Sequence, residues 1–405
     1  MDTSRFFRPT PPPHVPASLV LDFDVFNPGA EDERVYEDYT GLHVRGAPDI
    51  AWTRHNGGHW LVTRGEYFRE INNDFGSFSN TRGLETIQRG EGVGPLIPIE
   101  IDPPAHGEYR ALIAPAFSPR GVEALAGGIR DLAIELIENF RAARQCEFVA
   151  DFAQRLPIHV FLRLAGIPDR DRLELLDAVA RLLNRDTADP EDPRRRIARY
   201  LAPLFAARKV EPGEDLLSRL TQARLHGRPL SDAELLGIGT LLVIGGLDSV
   251  ASTMGLVTHC LARSPALRRR LIDDPAILPN AVEEFLRRFP TTSHGPSRIL
   301  TRDLQFHGVE MRTGDRISLP RPFANLDYRL HPDPLAVNFD RPDLQHASFG
   351  HGPHRCIGST LARLELQIFL REWLARIPDF GVAPGAAVKY DTAAHISVAA
   401  LPLVW

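Results

Sequence analysis

The chain has 405 residues, of which 43% are hydrophobic and 24% charged, so it is long enough to bury a large core. A formal net charge of −5 carries no signature of nucleic-acid binding, and three scattered cysteines argue against a disulfide framework and for a reducing compartment. Residues 1–20 form a proline-rich lead-in without an apolar segment, and the apolar runs elsewhere are interrupted. We therefore expect a cytoplasmic protein with no membrane anchor and no nucleic-acid partner, whose length allows two or three domains.

Two short alternating runs in the N-terminal part predict a β-hairpin. Residues 50–54 and 59–63 alternate in polarity, and Asn56-Gly57-Gly58 lies between them as a turn signal. Residues 83–98 are rich in glycine and proline and lack periodicity, which predicts a loop. A loop of this length in a compact domain is more often functional than not.

A predicted helix after Asp102-Pro103-Pro104 carries two basic side chains on one face. His106 and Arg110 are four residues apart, which places them on the same side of a helix. They could hold an anionic group, or they could belong to an ordinary solvated face, and the spacing leaves both interpretations open. Further helical patterns follow at residues 128–144, 157–165, 171–184 and 192–209.

A long helix is predicted from the capping box Ser231-Asp232-Ala233-Glu234 to about Arg263. Its middle is apolar on all sides, as a buried helix should be. Gly245-Gly246-Leu247-Asp248-Ser249 then interrupts it, although each interior glycine costs up to ~1 kcal/mol relative to alanine. Either the glycines admit a crossing helix and Asp248 caps a kink, or the interruption serves a function.

The last third combines a helix at 280–289, strands near 298–301, 304–306 and 316–319, and a long coil over 323–348. After the coil comes a glycine- and proline-rich loop, Phe349–Gly358, and then a predicted helix from Ser359 to Arg376. Cys356 lies just before this helix, whose N-terminus favours a thiolate over a thiol. Such a sulfur is a nucleophile or a metal ligand, and a small buried core cysteine is the alternative.

The order of these motifs along the chain is more specific than any one of them. In this order the sequence resembles the cytochrome P450 haem-thiolate monooxygenases over nearly its whole length, and within them the bacterial camphor 5-monooxygenase group most. The stretches that carry the resemblance are Asp102-Pro103-Pro104 with His106 and Arg110, Gly245-Gly246-Leu247-Asp248, Glu284-Phe285-Leu286-Arg287, Ala324-Asn325-Leu326-Asp327, Phe339-Asp340-Arg341, the loop Phe349–Gly358 and the final Leu401-Pro402-Leu403-Val404-Trp405.

The resemblance implies one domain over residues 1–405, with a mainly α fold and small β-sheets, the triangular helical prism of cytochrome P450, around a buried haem b. Thiolate ligation of the iron favours O–O cleavage. The roles implied for residues of this chain are Cys356 as the axial iron ligand, His106, Arg110, Arg298 and His354 on the haem propionates, Phe349 against the haem, Gly245 and Gly246 as room for dioxygen, Asp248 and Ser249 in proton delivery, and Glu284, Arg287 and Arg341 in a buried network behind the cysteine loop.

Departures from the family pattern concern the substrate. Ser249 stands where the family usually has threonine, and Gly94 stands where camphor hydroxylases present a tyrosine to the substrate ketone. Residues 291–296 look like extra sequence beside the haem. We expect a roomier, more apolar pocket and a small terpenoid substrate, such as an ionone-like norisoprenoid or a monoterpenoid, rather than camphor. The candidate pocket residues are Leu96, Leu241, Ile244 and Ile396, each of which plain core packing would explain nearly as well.

The resemblance also implies partners, because the chain contains no flavin or iron–sulfur region of its own. Electrons would come from NAD(P)H through a ferredoxin reductase and a [2Fe-2S] ferredoxin that docks near Arg110, and we expect a monomer. Camphor hydroxylation proper, a peroxide-dependent or isomerising haem-thiolate enzyme and a non-catalytic haem protein are the alternatives. A cysteine hydrolase is disfavoured because the spacing of His354 and Cys356 does not by itself supply an oriented base.

Overall fold

The structure is a computed structural model that describes residues 8–81, 94–183, 192–294, 297–342, 344–392 and 395–405. Most of the predicted loop at 83–98 and the last two residues of the segment 291–296 therefore lie outside the described residues. Helices dominate: α1 (Val35–Val44), α2 (Gly65–Asn73), α3 (Ala105–Ile113), α4 (Pro119–Glu123), α5 (Ala126–Arg141), α6 (Arg155–Ala165), α7 (Arg172–Leu183), α8 (Pro193–Val210), α9 (Leu216–Gln222), α10 (Asp232–Gly246), α11 (Ser249–Arg263), α12 (Pro265–Asp273), α13 (Leu278–Arg288), α14 (Arg321–Asn325) and α15 (Ser359–Arg376).

Small sheets flank the helices, and most of their strands have two to four residues. The largest sheet has the order β1-β2-β10-β7-β3, in which β2 and β10 run parallel and the other neighbours antiparallel. A second sheet has the order β11-β14-β4, and the pairs β5-β6, β8-β9 and β12-β13 are separate. The strands are β1 (Ile50–Thr53), β2 (His59–Val62), β3 (Phe78–Ser79), β4 (Gln145–Glu147), β5 (Arg224–Leu225), β6 (Arg228–Pro229), β7 (Arg298–Leu300), β8 (Leu304–Phe306), β9 (Val309–Met311), β10 (Arg316–Ser318), β11 (Gly381–Val382), β12 (Tyr390–Asp391), β13 (Ser397–Val398) and β14 (Pro402–Val404).

The long central helix begins at the predicted capping box and breaks at the predicted place. The Ser231 hydroxyl accepts from the Glu234 amide while the Glu234 carboxylate accepts from the Ser231 amide. α10 ends at Gly246, and α11 starts at Ser249 with Asp248 at its N-cap. By length and composition the 32 residues Asp232–Arg263 could cross a membrane, whereas the interrupted apolar runs predicted no membrane anchor. One such helix is weak evidence of a membrane span, and half of its apolar window is buried inside the protein.

An aromatic cluster fixes α15, the helix that follows the cysteine loop. Trp373 is fully buried and meets Phe148 edge-on with ring centroids 4.9 Å apart, while Phe152 and Phe369 pack around the same pair. α15 also packs along α5. Since side chains of this size dominate core energetics, the cluster holds the C-terminal half of α15 against the core.

The mainly helical architecture with small sheets confirms the predicted fold class, and the hairpin of β1 and β2 and the bounds of α15 agree with the sequence pattern. The predicted coil over 323–348 is wrong at its start, because α14 continues to Asn325. Pro320 and Pro322 lie at the start of this helix, where a proline lacks only an N–H that has no helical partner.

Candidate functional site

The loop before α15 is a tight turn that presents Cys356. Gly350 and Gly352 have φ of +68° and +66°, a region that favours glycine, and a Cβ on Gly352 would lie 2.4 Å from the carbonyl oxygen of Asn72. The amide of Cys356 donates to the carbonyl of Phe349 at 2.7 Å, which closes the loop. The Phe349 ring is buried and has the Arg363 guanidinium 4.5 Å from its centroid. The loop thus fixes the sulfur at the N-terminus of α15.

Opposing effects act on the Cys356 thiol. Burial raises its pKa, whereas the amide of Gly358 and the cations Arg321, Arg110 and Arg355 lower it. The side chain itself is exposed to the open space of the site. Without a further positive charge the thiol keeps its proton at neutral pH, and a bound metal cation would deprotonate it. This chemistry suits a metal ligand better than a free nucleophile.

Basic side chains surround the same space. Arg298 is buried on β7 and donates to Asn72 at 2.8 Å, and burial lowers its pKa to about 9. Arg110 on α3 donates to the Arg355 carbonyl at 2.6 Å, and burial lowers its pKa as well. The rings of His106 and His354 lie 4.0 Å apart. The structure therefore brings together all four residues predicted to hold haem propionates.

His354 shows what this cluster lacks. Both of its ring nitrogens are buried and have no hydrogen-bond partner among the described residues. Burial, followed by the charges of His106, Arg298 and Arg110, lowers the pKa of His354 to about 2. Buried donors without partners and mutually repelling cations are costly, so the site calls for anionic oxygens. Haem propionates meet this need, and the residues present fit a haem.

Arg321 belongs to the same surroundings, although the sequence analysis did not single it out. It donates to the Ala347 carbonyl at 3.0 Å, and burial lowers its pKa to about 10 while Cys356 raises it. The sequence pattern that could have identified Arg321 as a site residue is a basic residue between two prolines, shortly after a buried strand.

The two glycines at the end of α10 face different surroundings. No atom lies within 4 Å of a Cβ placed on Gly245, which is exposed to open space. A Cβ on Gly246 would lie 2.4 Å from the Phe161 ring on α6. The expectation of free space therefore holds at Gly245 and is wrong at Gly246, where the glycine admits a crossing helix.

Asp248 has a partner that the sequence analysis missed. The Nδ1 atom of His395 is hydrogen-bonded to its carboxylate, and the Ser252 hydroxyl donates to the same oxygen at 3.3 Å. Burial raises the pKa of Asp248, but these two hydrogen bonds outweigh it and the pKa is lowered. Asp248 is therefore ionised at neutral pH, and Ser249 follows it as the first residue of α11.

Exposure separates the four candidate pocket residues into two groups. Ile396 is completely covered by protein atoms within the main core, and Leu96 is only 3% exposed. Neither of them can line an open space, so both pocket assignments are wrong and core packing explains these positions. Leu241 and Ile244 are partly exposed on α10, on the same helix as Gly245.

The predicted charged network lies behind the cysteine loop. Arg287 donates to both carboxylate oxygens of Glu284, at 2.7 and 2.9 Å, and Arg341 donates to Glu284 at 3.0 Å. Arg287 also donates to the carbonyl of Asn325, whose side chain accepts from the Ala347 amide at 2.6 Å. The network thereby links α13 to the segment that leads into the cysteine loop.

Comparisons with known proteins agree with this geometry. Residues 192–377 match the family description Cytochrome P450. The chain is 37% identical to probable cytochrome P450 127A1 of Sinorhizobium fredii (strain NBRC 101917 / NGR234), with 93% of this chain and 92% of that protein covered. It is 34% identical to mycinamicin IV hydroxylase/epoxidase of Micromonospora griseorubida, over 85% of this chain and 89% of that protein.

Two solved structures are similar over nearly the full length. CYP101J2 has a TM-score of 0.87 at 34% identity, covering 98% of this chain and 99% of that one. Cytochrome P450 CYP101C1 also has a TM-score of 0.87, at 35% identity, covering 98% and 100%. The chain belongs to the cytochrome P450 family, and its cofactor is a haem with an axial thiolate. The family, fold and cofactor expected from the sequence are confirmed.

Proposed function

We propose that this protein is a haem-thiolate monooxygenase that hydroxylates C–H bonds of a small apolar terpenoid, of norisoprenoid or monoterpenoid type. One observation carries the proposal: the thiol of Cys356 lies at the start of α15 beside a buried basic cluster in which, among the described residues, both ring nitrogens of His354 have no hydrogen-bond partner. A haem with a thiolate ligand supplies oxygen activation when bound.

The basic cluster and the loop would hold this cofactor. Cys356 would provide the axial sulfur, with the Gly358 amide as a hydrogen-bond donor that tunes it. The propionates would lie against Arg298, His354 and their neighbours, His106 and Arg110. Phe349 would pack beside the ring, since its position is fixed by the closed loop.

The break between α10 and α11 would serve proton delivery. Gly245 leaves space beside the helix, and Asp248 and Ser249 would hold and move protons there. An ionised carboxylate next to hydroxyl groups can pass a proton from solvent to the site. Ser249 keeps the O–H of the family threonine and lacks the methyl that restricts its rotamer.

The partly exposed apolar side chains of α10 support an apolar substrate. Leu241 and Ile244 offer aliphatic side chains on the helix that carries Gly245. Gly94 is exposed with no atom within 4 Å of its Cβ position, and so provides neither a ring nor a hydroxyl. A ligand held by apolar contacts alone gains affinity from its buried area, which favours a terpenoid of camphor size or larger.

The surface on the cysteine side supports a ferredoxin as electron donor. A groove of about 290 Å³ beside the loop is lined by Arg69, Arg355 and Arg363, with Glu283 as its acidic residue. Glu283 is already paired with Arg363 at 2.5 Å, so the net charge of the groove is positive. An acidic [2Fe-2S] ferredoxin, reduced by an NAD(P)H-dependent reductase, fits this surface. The proposal includes that the protein is a monomer in the cytoplasm.

Turnover with defined electron donors tests the function. The purified haem protein is incubated with camphor, ionones and monoterpenes, either with ferredoxin, reductase and NADH or with hydrogen peroxide alone. We expect hydroxylated terpenoid in the ferredoxin reaction and little product with peroxide. Product with peroxide alone, or no product from any apolar substrate, would contradict the proposal.

A further inference from the structure

Asp248 occupies a helix N-cap without capping the helix. An aspartate at this position usually turns its carboxylate onto the amides of the first turn. In α11 no such hydrogen bond is present, and the carboxylate is instead bonded to His395 and Ser252. Because an ionised carboxylate only accepts hydrogen bonds, the hydrogen lies on Nδ1 of the imidazole.

His395 is held in place from outside the helix. Its backbone forms an antiparallel bridge with Thr292, and the amide of Ile396 donates to the carbonyl of Thr291 at 2.6 Å. Ile396 is completely buried, and the following strand β13 packs on α11. Thr291 and Thr292, in the segment that looked like extra sequence, therefore anchor the backbone at His395.

We propose that His395 is a positioning residue that draws the Asp248 carboxylate away from the first turn of α11 and presents it for proton delivery. This inference rests on the proposed monooxygenase function. Without the Nδ1–H donor, the carboxylate would rotate onto the amide of Ala251 in the first turn of α11 and cap the helix. The Asp248 carboxylate would then no longer be placed for proton delivery, while the free energy of unfolding would be unchanged.

Two substitutions separate positioning from packing. His395→Leu keeps much of the side-chain volume and removes the donor, whereas His395→Asn keeps an N–H close to the place of Nδ1. We expect His395→Leu to lower the yield of product per NADH about tenfold, as for a lost hydrogen bond to a charged group. His395→Asn should recover most of that loss. His259→Leu is the matched control, because His259 is buried on α11 and bonded to Tyr390 outside the site.

A crystal structure of ferric His395→Leu provides a readout independent of turnover. We expect the Asp248 carboxylate to accept from the Ala251 amide and the melting temperature to stay level with that of His259→Leu or higher. An unmoved carboxylate, full coupling in His395→Leu, or an equal loss in His395→Asn would overturn the inference. A wild type without monooxygenase activity would refute the proposed function, while the structural comparison would still decide the role of His395.

Discussion

Gly94 is the residue at which this chain departs most clearly from a camphor hydroxylase. Its surroundings are open, so a larger side chain has room. Camphor binds poorly to a pocket that offers no donor to its ketone, because a desolvated carbonyl without a partner costs free energy.

Gly94→Tyr should therefore restore a response to camphor. A single neutral hydrogen bond contributes about 1 kcal/mol, so we expect camphor to bind about fivefold more tightly. The measurement is a titration of the ferric protein followed by its spin-state spectrum. Gly94→Phe, which adds the ring without the hydroxyl, is the control. A strong camphor response of the wild type would contradict this interpretation of Gly94.

Single residues were predictable from sequence where their partners are close along the chain. Cys356 precedes a helix, and His354 lies two residues before it, so their neighbourhood follows from local spacing. His395 is separated from Asp248 by 147 positions in the sequence, and no sequence pattern around either residue predicts their contact. Leu96 and Ile396 were misplaced for a related reason, since apolar character does not distinguish a pocket wall from a core.

At the scale of elements, the network on α13 connects helices to loops. Glu284 and Arg287 are both fully inaccessible to solvent, and Arg287 donates to the carbonyls of Asn325, Pro334 and Ala336. Removing one partner of a buried pair leaves an uncompensated charge and costs about 3–5 kcal/mol.

Glu284→Gln should lower the free energy of unfolding by this amount and speed the loss of haem. Asp340→Asn is the control, because Asp340 and Arg270 form a salt bridge that is open to solvent. Such a pair contributes about 0–1 kcal/mol. Urea denaturation followed by the haem absorbance compares the two. Equal stability of both variants would show that the network does not support the cysteine loop.

α15 contains a buried acid that makes stability depend on pH. Burial raises the pKa of Glu365 to about 8. Between its ordinary pKa of 4.5 and about 8, the folded state binds more protons at this group than the unfolded state. The free energy of unfolding therefore falls as pH rises through this window, by up to ~1.4 kcal/mol per pH unit.

Glu365→Gln should remove this decline. Between pH 5 and 8, the free energy of unfolding of the variant should therefore rise relative to that of the wild type by about 1 kcal/mol per pH unit. Chemical denaturation at several pH values measures it. Glu372→Gln on the same helix is the control. Burial raises the pKa of Glu372, but hydrogen bonds from Arg130 and Arg376 lower it overall. Loss of the Glu372 carboxylate should lower the free energy of unfolding above pH 5 without changing how steeply it depends on pH. An unchanged slope in Glu365→Gln would contradict the assignment.

Helices could be predicted from the sequence where a residue pattern marks the point at which the helix begins. The capping box fixed the start of α10, and the cysteine loop fixed the start of α15. α14 was missed because five residues that begin beside two prolines carry too little periodicity for a helical pattern. The role of Gly246 was missed because the approach of Phe161 is a tertiary contact.

For the whole molecule, the distribution of charge over the surface decides partner binding more than the net charge does. The chain is negative overall, yet the residues that line the groove beside the cysteine loop include three arginines and a single carboxylate. Attraction between such a surface and an acidic partner accelerates association and is screened by salt.

Arg69→Ala should raise the KM for ferredoxin about threefold at low ionic strength, and the difference should vanish in high salt. Arg69 is exposed in the groove, so its loss should leave the fold intact. Arg170→Ala is the control, because Arg170 is exposed outside the groove. NADH oxidation at varied ferredoxin concentration measures the effect. An equal KM for both variants would place the docking surface elsewhere.

The central claim is that Cys356 ligates the haem iron through its thiolate. The most direct test is the absorption spectrum of the protein after reduction under carbon monoxide, for the wild type and for Cys356→His. We predict a Soret band with the red shift of thiolate ligation in the wild type and its loss in Cys356→His. A wild-type band without that shift, or a shifted band that survives the substitution, would contradict the account.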